Sequence, residues 1–302
     1  MTALASHAPS NAPALAPAPW ESRRAPSFVR NAWTIGRREL RDAVRSRWFL
    51  LYTLAFAVLG LAVSFVSAAS TGGMGLSGFG RTTAGLINLV LLVVPLMALT
   101  AGAGSIASDR ERGALAYLLA QPVARGEVLL GKFWGLAGAL AASLLLGLGA
   151  CALILAWKGA ATSAASIAWL AALAFLLALG MLGVGLLISA LARKSSVAIG
   201  TAIFVWLALV FVTDLALMAG AVALRLRIEE LFALALLNPL QVFKMWSLHA
   251  VDANLDVLGP AGLYATEEYA GSLAWIFAGC MTAWVLVPLA LAWLALWRRS
   301  PL

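Results

Sequence analysis

Charge is scarce in this sequence: Asp, Glu, Lys and Arg make up 11% of its 302 residues, against roughly 25% in a soluble domain. Hydrophobic residues make up 63%, and the mean hydropathy is +0.94, which excludes a water-soluble globular fold. Histidine and cysteine are sparse too. His7, His249, Cys151 and Cys280 have none of the spacing of a zinc site. No Glu or His pair falls inside an apolar run, as a hydrolase or a proton relay in the membrane would require. Strict apolar/polar alternation is also missing, which excludes the strands of a membrane barrel. No catalytic, cofactor-binding or metal-ligating set is therefore assigned, and the chain reads as a non-enzymatic membrane component. A formal charge of +8 would suit nucleic acid as well as a membrane surface. The charges flank long apolar runs, so membrane lipid is the expected partner and nucleic acid is not.

The apolar runs exceed the roughly 20 residues of a spanning helix, and the expected fold class is an all-α integral membrane protein. Six transmembrane helices are expected, at about 48–69, 83–107, 133–156, 167–191, 197–224 and 270–297. Residues 1–27, rich in Ala, Pro and Ser without an apolar period, read as a disordered leader that lacks the charged and apolar regions of a signal peptide. Residues 28–302 form the membrane domain. An even number of spans puts both termini on one side, where 16 of the Lys and Arg fall, against 5 on the other (Arg81, Lys158, Arg225, Arg227 and Lys244). The positive-inside rule then places both termini in the cytoplasm.

Two cytoplasmic elements stand out. Val29, Trp33, Leu40, Val44 and Trp48 form a stripe at helical spacing, backed by Arg30, Arg37, Arg38, Arg41, Arg45 and Arg47. This is a basic amphipathic helix leading into the bilayer; a solvated positive flank with no further role reads the same way. Between spans two and three, Leu115, Leu118 and Leu119 recur at i, i+3, i+4, and Gln121 followed by Pro122 ends the short helix they mark. The flanking Asp109, Arg110, Glu111, Arg112, Arg125, Glu127 and Lys132 cannot sit in hydrocarbon, so this elbow is expected to stand in water at a membrane face. Gly126-Glu-Val-Leu-Leu-Gly-Lys-Phe133 mimics a phosphate-binding loop. Phe133 stands where Ser or Thr should hold magnesium and no strand precedes the loop, so any nucleotide is hydrolysed by another polypeptide.

The other face carries residues 225–269, with a helical opening, a break at Asn238 and Pro239, a second helical stretch from Leu240 to Leu248, and a turn-rich part from Asp252 to Tyr264. A pair of short helices re-entering the outer interface is expected, serving a partner, a gate or merely a lid over helix ends. Asp214 is the one acid within a span and reads as wet, near the outer interface. Cys151, Cys280 and Met281 could contact Cu(I), as could Met245 and His249 at i, i+4, though core packing accounts for them equally. Gly102 and Gly104, Gly131 and Gly135, and Gly180 and Gly183 read as packing seams, within the chain or between protomers. Pro95 and Pro288 read as kinks, static or hinged.

The elbow carries a family resemblance. Glu111, Arg112, Gly113, Ala114 and Leu115, then Leu118 to Val123 with Pro122, then Arg125, Gly131 and Lys132, resemble the coupling-helix region of ABC-2-type transporter permeases. Gly36 to Trp48 is similar to the connector helix that opens such subunits. Leu237 to Met245 and Leu255 to Tyr264 resemble the outer loop of the permease subunit of the ABC complex that matures nitrous oxide reductase. The resemblance implies a bacterial inner-membrane homodimer clamped by two cytoplasmic ATPase subunits, which hold the ATP and Mg. It also implies a periplasmic accessory protein on the outer loop, and assembly of the copper-sulfur site of the reductase during denitrification as the work served. It assigns ATPase coupling to Glu111, Arg112, Gly113, Ala114, Leu115, Leu118, Leu119, Pro122 and Arg125. The connector helix contributes Val29, Trp33, Arg37, Leu40, Arg41 and Val44, and the periplasmic contact Phe243, Met245, Trp246, Leu255, Leu258 and Tyr264. Export of a small sulfur or copper species and force on the periplasmic partner both remain open. So does a drug, lipid or sodium exporter permease; an ATP-independent secondary carrier would need intramembrane ionisable groups and inverted repeats that are not evident.

Overall fold

The computed structural model describes residues 27–69, 77–121, 123–157, 164–222, 227–250, 268 and 271–298, and among these every element is helical. The expected leader and the turn-rich stretch from Asp252 to Tyr264 lie outside the described residues. In chain order the helices are α1 (Phe28–Arg45), α2 (Arg47–Ala69), α3 (Ser77–Glu111), α4 (Ala114–Leu119), α5 (Arg125–Trp157), α6 (Ala164–Leu191), α7 (Ser195–Leu207), a π-helical segment (Ala208–Val212), α8 (Thr213–Val222), α9 (Ile228–Leu236), α10 (Pro239–Ala250) and α11 (Leu273–Arg298).

Among the described residues five helices are long and apolar enough to cross a membrane by themselves: α3, α5, α6, α7 continued through the π segment into α8, and α11. Two bent pairs raise that to as many as seven, α1 with α2 (62°) and α9 with α10 (106°). The expected first span, α2, thus qualifies only together with the connector helix, and the expected count of six lies within the five to seven that length and composition allow. Helices α3 and α5, of 35 and 33 residues, run about 50 Å at 1.5 Å per residue, well beyond the roughly 30 Å of hydrocarbon. Their joined ends lie against the ends of α6 and α11 and carry the elbow α4.

The core is the α3–α6 pair, with α5 and then α2 on one flank, α11 against α6 and α7 against α3. Glycine decides how closely these helices approach. A Cβ at Gly102 would come within 2.8 Å of the Leu182 carbonyl oxygen, and one at Gly185 within 2.5 Å of that of Leu99, so α3 and α6 touch backbone to backbone. Gly180 and Gly183 receive Trp284, Val285 and Pro288 of α11. These small-residue seams therefore lie within one chain. Pro95 and Pro288 sit inside helices that continue past them. A hydroxyl pair, Thr53 and Ser143 at 2.8 Å, joins α2 to α5 inside the bundle, where neither group has water to bond.

The α9–α10 pair forms as expected from the break at Asn238 and Pro239, which become the cap and first residue of α10: Asn238 Oδ1 accepts from the Leu240 amide at 2.8 Å. Helix α10 then turns inward and packs against α6, α11 and α3. Span five departs from a plain helix at Ala208–Val212, where a π turn adds a residue. Such a turn leaves backbone carbonyls without their usual donor, and Asn238 Nδ2 donates to the Leu209 carbonyl at 2.6 Å.

Candidate functional site

Helix α4 is six residues long and begins after Gly113, whose φ of +74° is the left-handed turn that lets the chain leave α3 and fold back. Leu115 is buried against the bundle, Leu118 and Ala114 are half-buried, and Tyr117 is 70% exposed beside exposed Ala116, Ala120 and Gln121. The leucine stripe read as the surface to be touched thus anchors α4, through Leu115, to its own chain, and Tyr117 heads the outward face. Its lone aromatic ring amid Ala and Leu was the signal available in the sequence. Pro122 lies outside the described residues, and for Leu119 only its place at the end of α4 is described.

The charges around α4 behave differently from solvated flanks. The Lys132 side chain, on α5, is 3% exposed, with its ammonium 2.6 Å from Asp109 of α3 and 3.0 Å from Glu39 of α1. Glu127 is also buried: its carboxylate accepts from the Asn31 amide of α1 at 2.9 Å and from the Ala124 backbone at 3.0 Å. The argument that both must stand in water fails here, because partners from neighbouring helices replace water. Helix ends take three of the remaining four charges. The Arg110 guanidinium donates to the carbonyls of Ser189, Ala190 and Ala192 at the end of α6. Arg125 does the same to Leu296 (2.6 Å) and Trp297 (3.0 Å) at the end of α11. Glu111 accepts from the Ser195 amide at the start of α7 at 3.1 Å. Cations at C-termini and an anion at an N-terminus complement the helix dipoles. Arg112 turns back onto Ser108 and remains exposed.

Helix α1 lies along α5 through a glycine notch. A Cβ at Gly135 would meet the Gly36 carbonyl oxygen at 2.5 Å, and one at Gly131 that of Ala32 at 2.8 Å. Its packed face is Ala32, Ile35, Gly36, Glu39 and Leu40, and only Leu40 belongs to the expected apolar stripe. Val29, Trp33 (72% exposed) and Val44 stay exposed, next to exposed Arg37 and Arg41. The sequence showed the amphipathic stripe but not the glycine face beside it.

At the opposite end, Phe243, Met245 and Trp246 are buried within the chain. Trp246 stacks edge-on with Trp169 of α6 and lies against Phe277 of α11, ring centroids 6.4 Å apart in each pair. In this chain they wedge α10 into the bundle and offer no surface to a partner. Leu255, Leu258 and Tyr264 lie outside the described residues. Leu237, at the bend between α9 and α10, is the exposed apolar residue there. Cys151 packs against Gly60 of α2, and Met281 is buried in α11. Among the described residues no three His, Cys, Asp or Glu side chains come together.

Residues 33–300 match the profile described as ABC-2 family transporter protein. The chain is also similar to two proteins named probable ABC transporter permease protein NosY. The one from Stutzerimonas stutzeri is 33% identical over 278 residues, covering 90% of this chain and 99% of the relative. The one from Pseudomonas aeruginosa is 33% identical over 276 residues, covering 89% and 98%. With the family profile spanning nearly all of the membrane domain and helices long enough to cross a bilayer beneath it, this chain belongs to the ABC-2 transporter family, as a multi-pass permease subunit.

Proposed function

We propose that the chain is the membrane lever of an ATP-driven complex, two copies together, each receiving a cytoplasmic ATPase subunit at the elbow and engaging a periplasmic accessory protein at the opposite end. The observation that carries this reading is the wiring of the elbow. Residues 109–132 are tied by charge or hydrogen bond to α1, α6, α7 and α11, while Tyr117 faces out. A push on Tyr117 passes through α4 to the adjoining ends of α3 and α5, whose Arg110, Glu111, Arg125, Glu127 and Lys132 carry it to four other helices through short polar contacts. ATP and Mg belong to the ATPase subunit; this chain supplies the socket partner and the transmission.

The elbow and both termini face the cytoplasm of the bacterial inner membrane in this reading, supported by the bias of 16 Lys and Arg against 5. The exposed Val29, Trp33 and Val44 strip would then rest on lipid with Arg37 and Arg41 at the headgroups. The work served is assembly of the copper-sulfur site of periplasmic nitrous oxide reductase. Its support is the near full-length similarity to the two NosY permeases, together with the resemblance of the segments Leu237 to Met245 and Leu255 to Tyr264. Hydrolysis is coupled either to passage of a small sulfur or copper species or to force on the accessory protein. Contact with that protein falls to Leu237, Leu255, Leu258 and Tyr264.

The test is Tyr117→Asp in the full-length chain. Insertion and thermal stability should stay at the wild-type level, because the side chain touches solvent, while co-purification of the ATPase subunit should fall at least tenfold. Undiminished co-purification would remove the elbow from the interface.

A further inference from the structure

At the end opposite the elbow, α3, the π segment, α8 and α10 leave an open cleft of about 180 Å³. Leu91, Leu92, Leu209 and Val210 form apolar walls, and Asn88, Asp214, Gln241 and Lys244 supply the polar groups. Asn88 lies 20 residues before Ser108 and Asp214 19 residues after Ser195, each about 30 Å along its helix. The polar groups therefore sit at headgroup level in the far leaflet, and Leu91 and Leu92 lie a turn deeper.

The two charges do not close on each other. Asp214 accepts a hydrogen bond from the Gln241 side-chain amide. Gln241 and Lys244 lie one turn apart on the same side of α10, and the carboxylate bonds to the first without pairing with the second. Lys244, half-buried, makes no ion pair or hydrogen bond among the described residues. The π segment begins six residues before Asp214, and Asn238 donates to its Leu209 carbonyl, which ties the segment to the start of α10. π turns recur at functional sites. A carboxylate and an ammonium that line one small cleft without pairing match a ligand that carries the opposite pair.

We propose that this cleft binds a small zwitterion, a primary ammonium held by Asp214 with Asn88 beside it and an anionic oxygen group held by Lys244. Ethanolamine phosphate has this chemistry, either as the headgroup of phosphatidylethanolamine in that leaflet or as a free solute. Phosphatidylcholine does not, because its quaternary nitrogen has no N–H to donate. The site uses neither the elbow nor the copper-site reading, so it stands or falls by itself.

The experiment places the full-length protein, with its ATPase subunit, in nanodiscs of equal phosphatidylethanolamine and phosphatidylcholine, and counts retained lipids by native mass spectrometry. Ethanolamine lipid should be enriched about tenfold, the worth of one charge-assisted hydrogen bond; Asp214→Asn should bring the ratio to parity, and Lys244→Gln, which loosens the phosphate that both lipids share, should lower the total lipid retained while the ratio stays. A parallel arm titrates O-phosphoethanolamine into protein in phosphatidylcholine alone and follows the unfolding midpoint. Stabilisation there without lipid enrichment, lost in both variants, identifies the free solute as the source. Should Asp214→Asn not remain monodisperse, the exchanged Asp214→Lys/Lys244→Asp pair replaces it and retains the preference. No enrichment and no stabilisation, or effects unchanged in the variants, overturn the proposal.

Discussion

The elbow end and the opposite end of this bundle are held by different physics. At the elbow, long α3 and α5 carry charge beyond the apolar core, and the contacts are ionic or charge-assisted: Lys132 with Asp109 and Glu39, Arg110 on α6, Arg125 on α11. At the opposite end, α10 is held by aromatic stacking of Trp246 between Trp169 and Phe277, with Asn238 as one polar pin. Charge-assisted hydrogen bonds have defined partners and directions, so a displacement of the α3 and α5 ends reaches named helices. Aromatic packing is less directional and fixes the position of α10 without wiring it to one residue. The elbow end is thus specific, and the opposite end is a wedge.

Three substitutions bear on that contrast. The largest effect is expected from Lys132→Met, which leaves the Asp109 and Glu39 carboxylates together in a largely buried place without their cation. Breaking such a cluster costs about 3–5 kcal/mol, read as a lowered unfolding midpoint together with lost ATPase co-purification. The triple change Lys132→Met/Asp109→Asn/Glu39→Gln should recover most of the midpoint, since no charge is then orphaned. A single variant as stable as wild type would mean the triad does not hold the elbow. Next comes Trp246→Ala, at about 3 kcal/mol from loss of packing. It should lower the midpoint while the ATPase subunit still co-purifies, and loss of co-purification would erase the distinction between the ends. The smallest is Asn238→Ala, about 1–2 kcal/mol for the cap of α10 and the orphaned Leu209 carbonyl. Hydrogen exchange should rise in α10 and around residues 208–212 alone, and a rise at α4 would show that the pin reaches the elbow.

Much of the architecture was legible in the chain. Span positions at 133–156 and 167–191 fall within α5 and α6, and α4 forms where the leucine spacing put it, after Gly113 and ending before Gln121. The α9–α10 break at Asn238 and Pro239 was equally legible, because a cap and a proline act locally. Phe243, Met245 and Trp246 were not legible as wedge residues, since apolar side chains beside a membrane read alike whether they face lipid, a partner or their own core. The pattern around Gly131 and Gly135 announced close approach but not its partner, and α1 supplied it from about 95 residues away in the chain.

The sequence by itself determined the membrane class, the approximate spans, the short helix between two of them and the bias of basic charge, because each follows from transfer free energies or backbone preferences that act over one helix length or less. Only the tertiary structure decided which charges are buried, which face of α1 meets α5, that α10 turns inward, and that the π segment in span five faces Asn238. Those outcomes depend on groups far apart in the chain. Lys132 and Glu39 are 93 residues apart in sequence and 3.0 Å apart in the fold, and no local pattern encodes that juxtaposition.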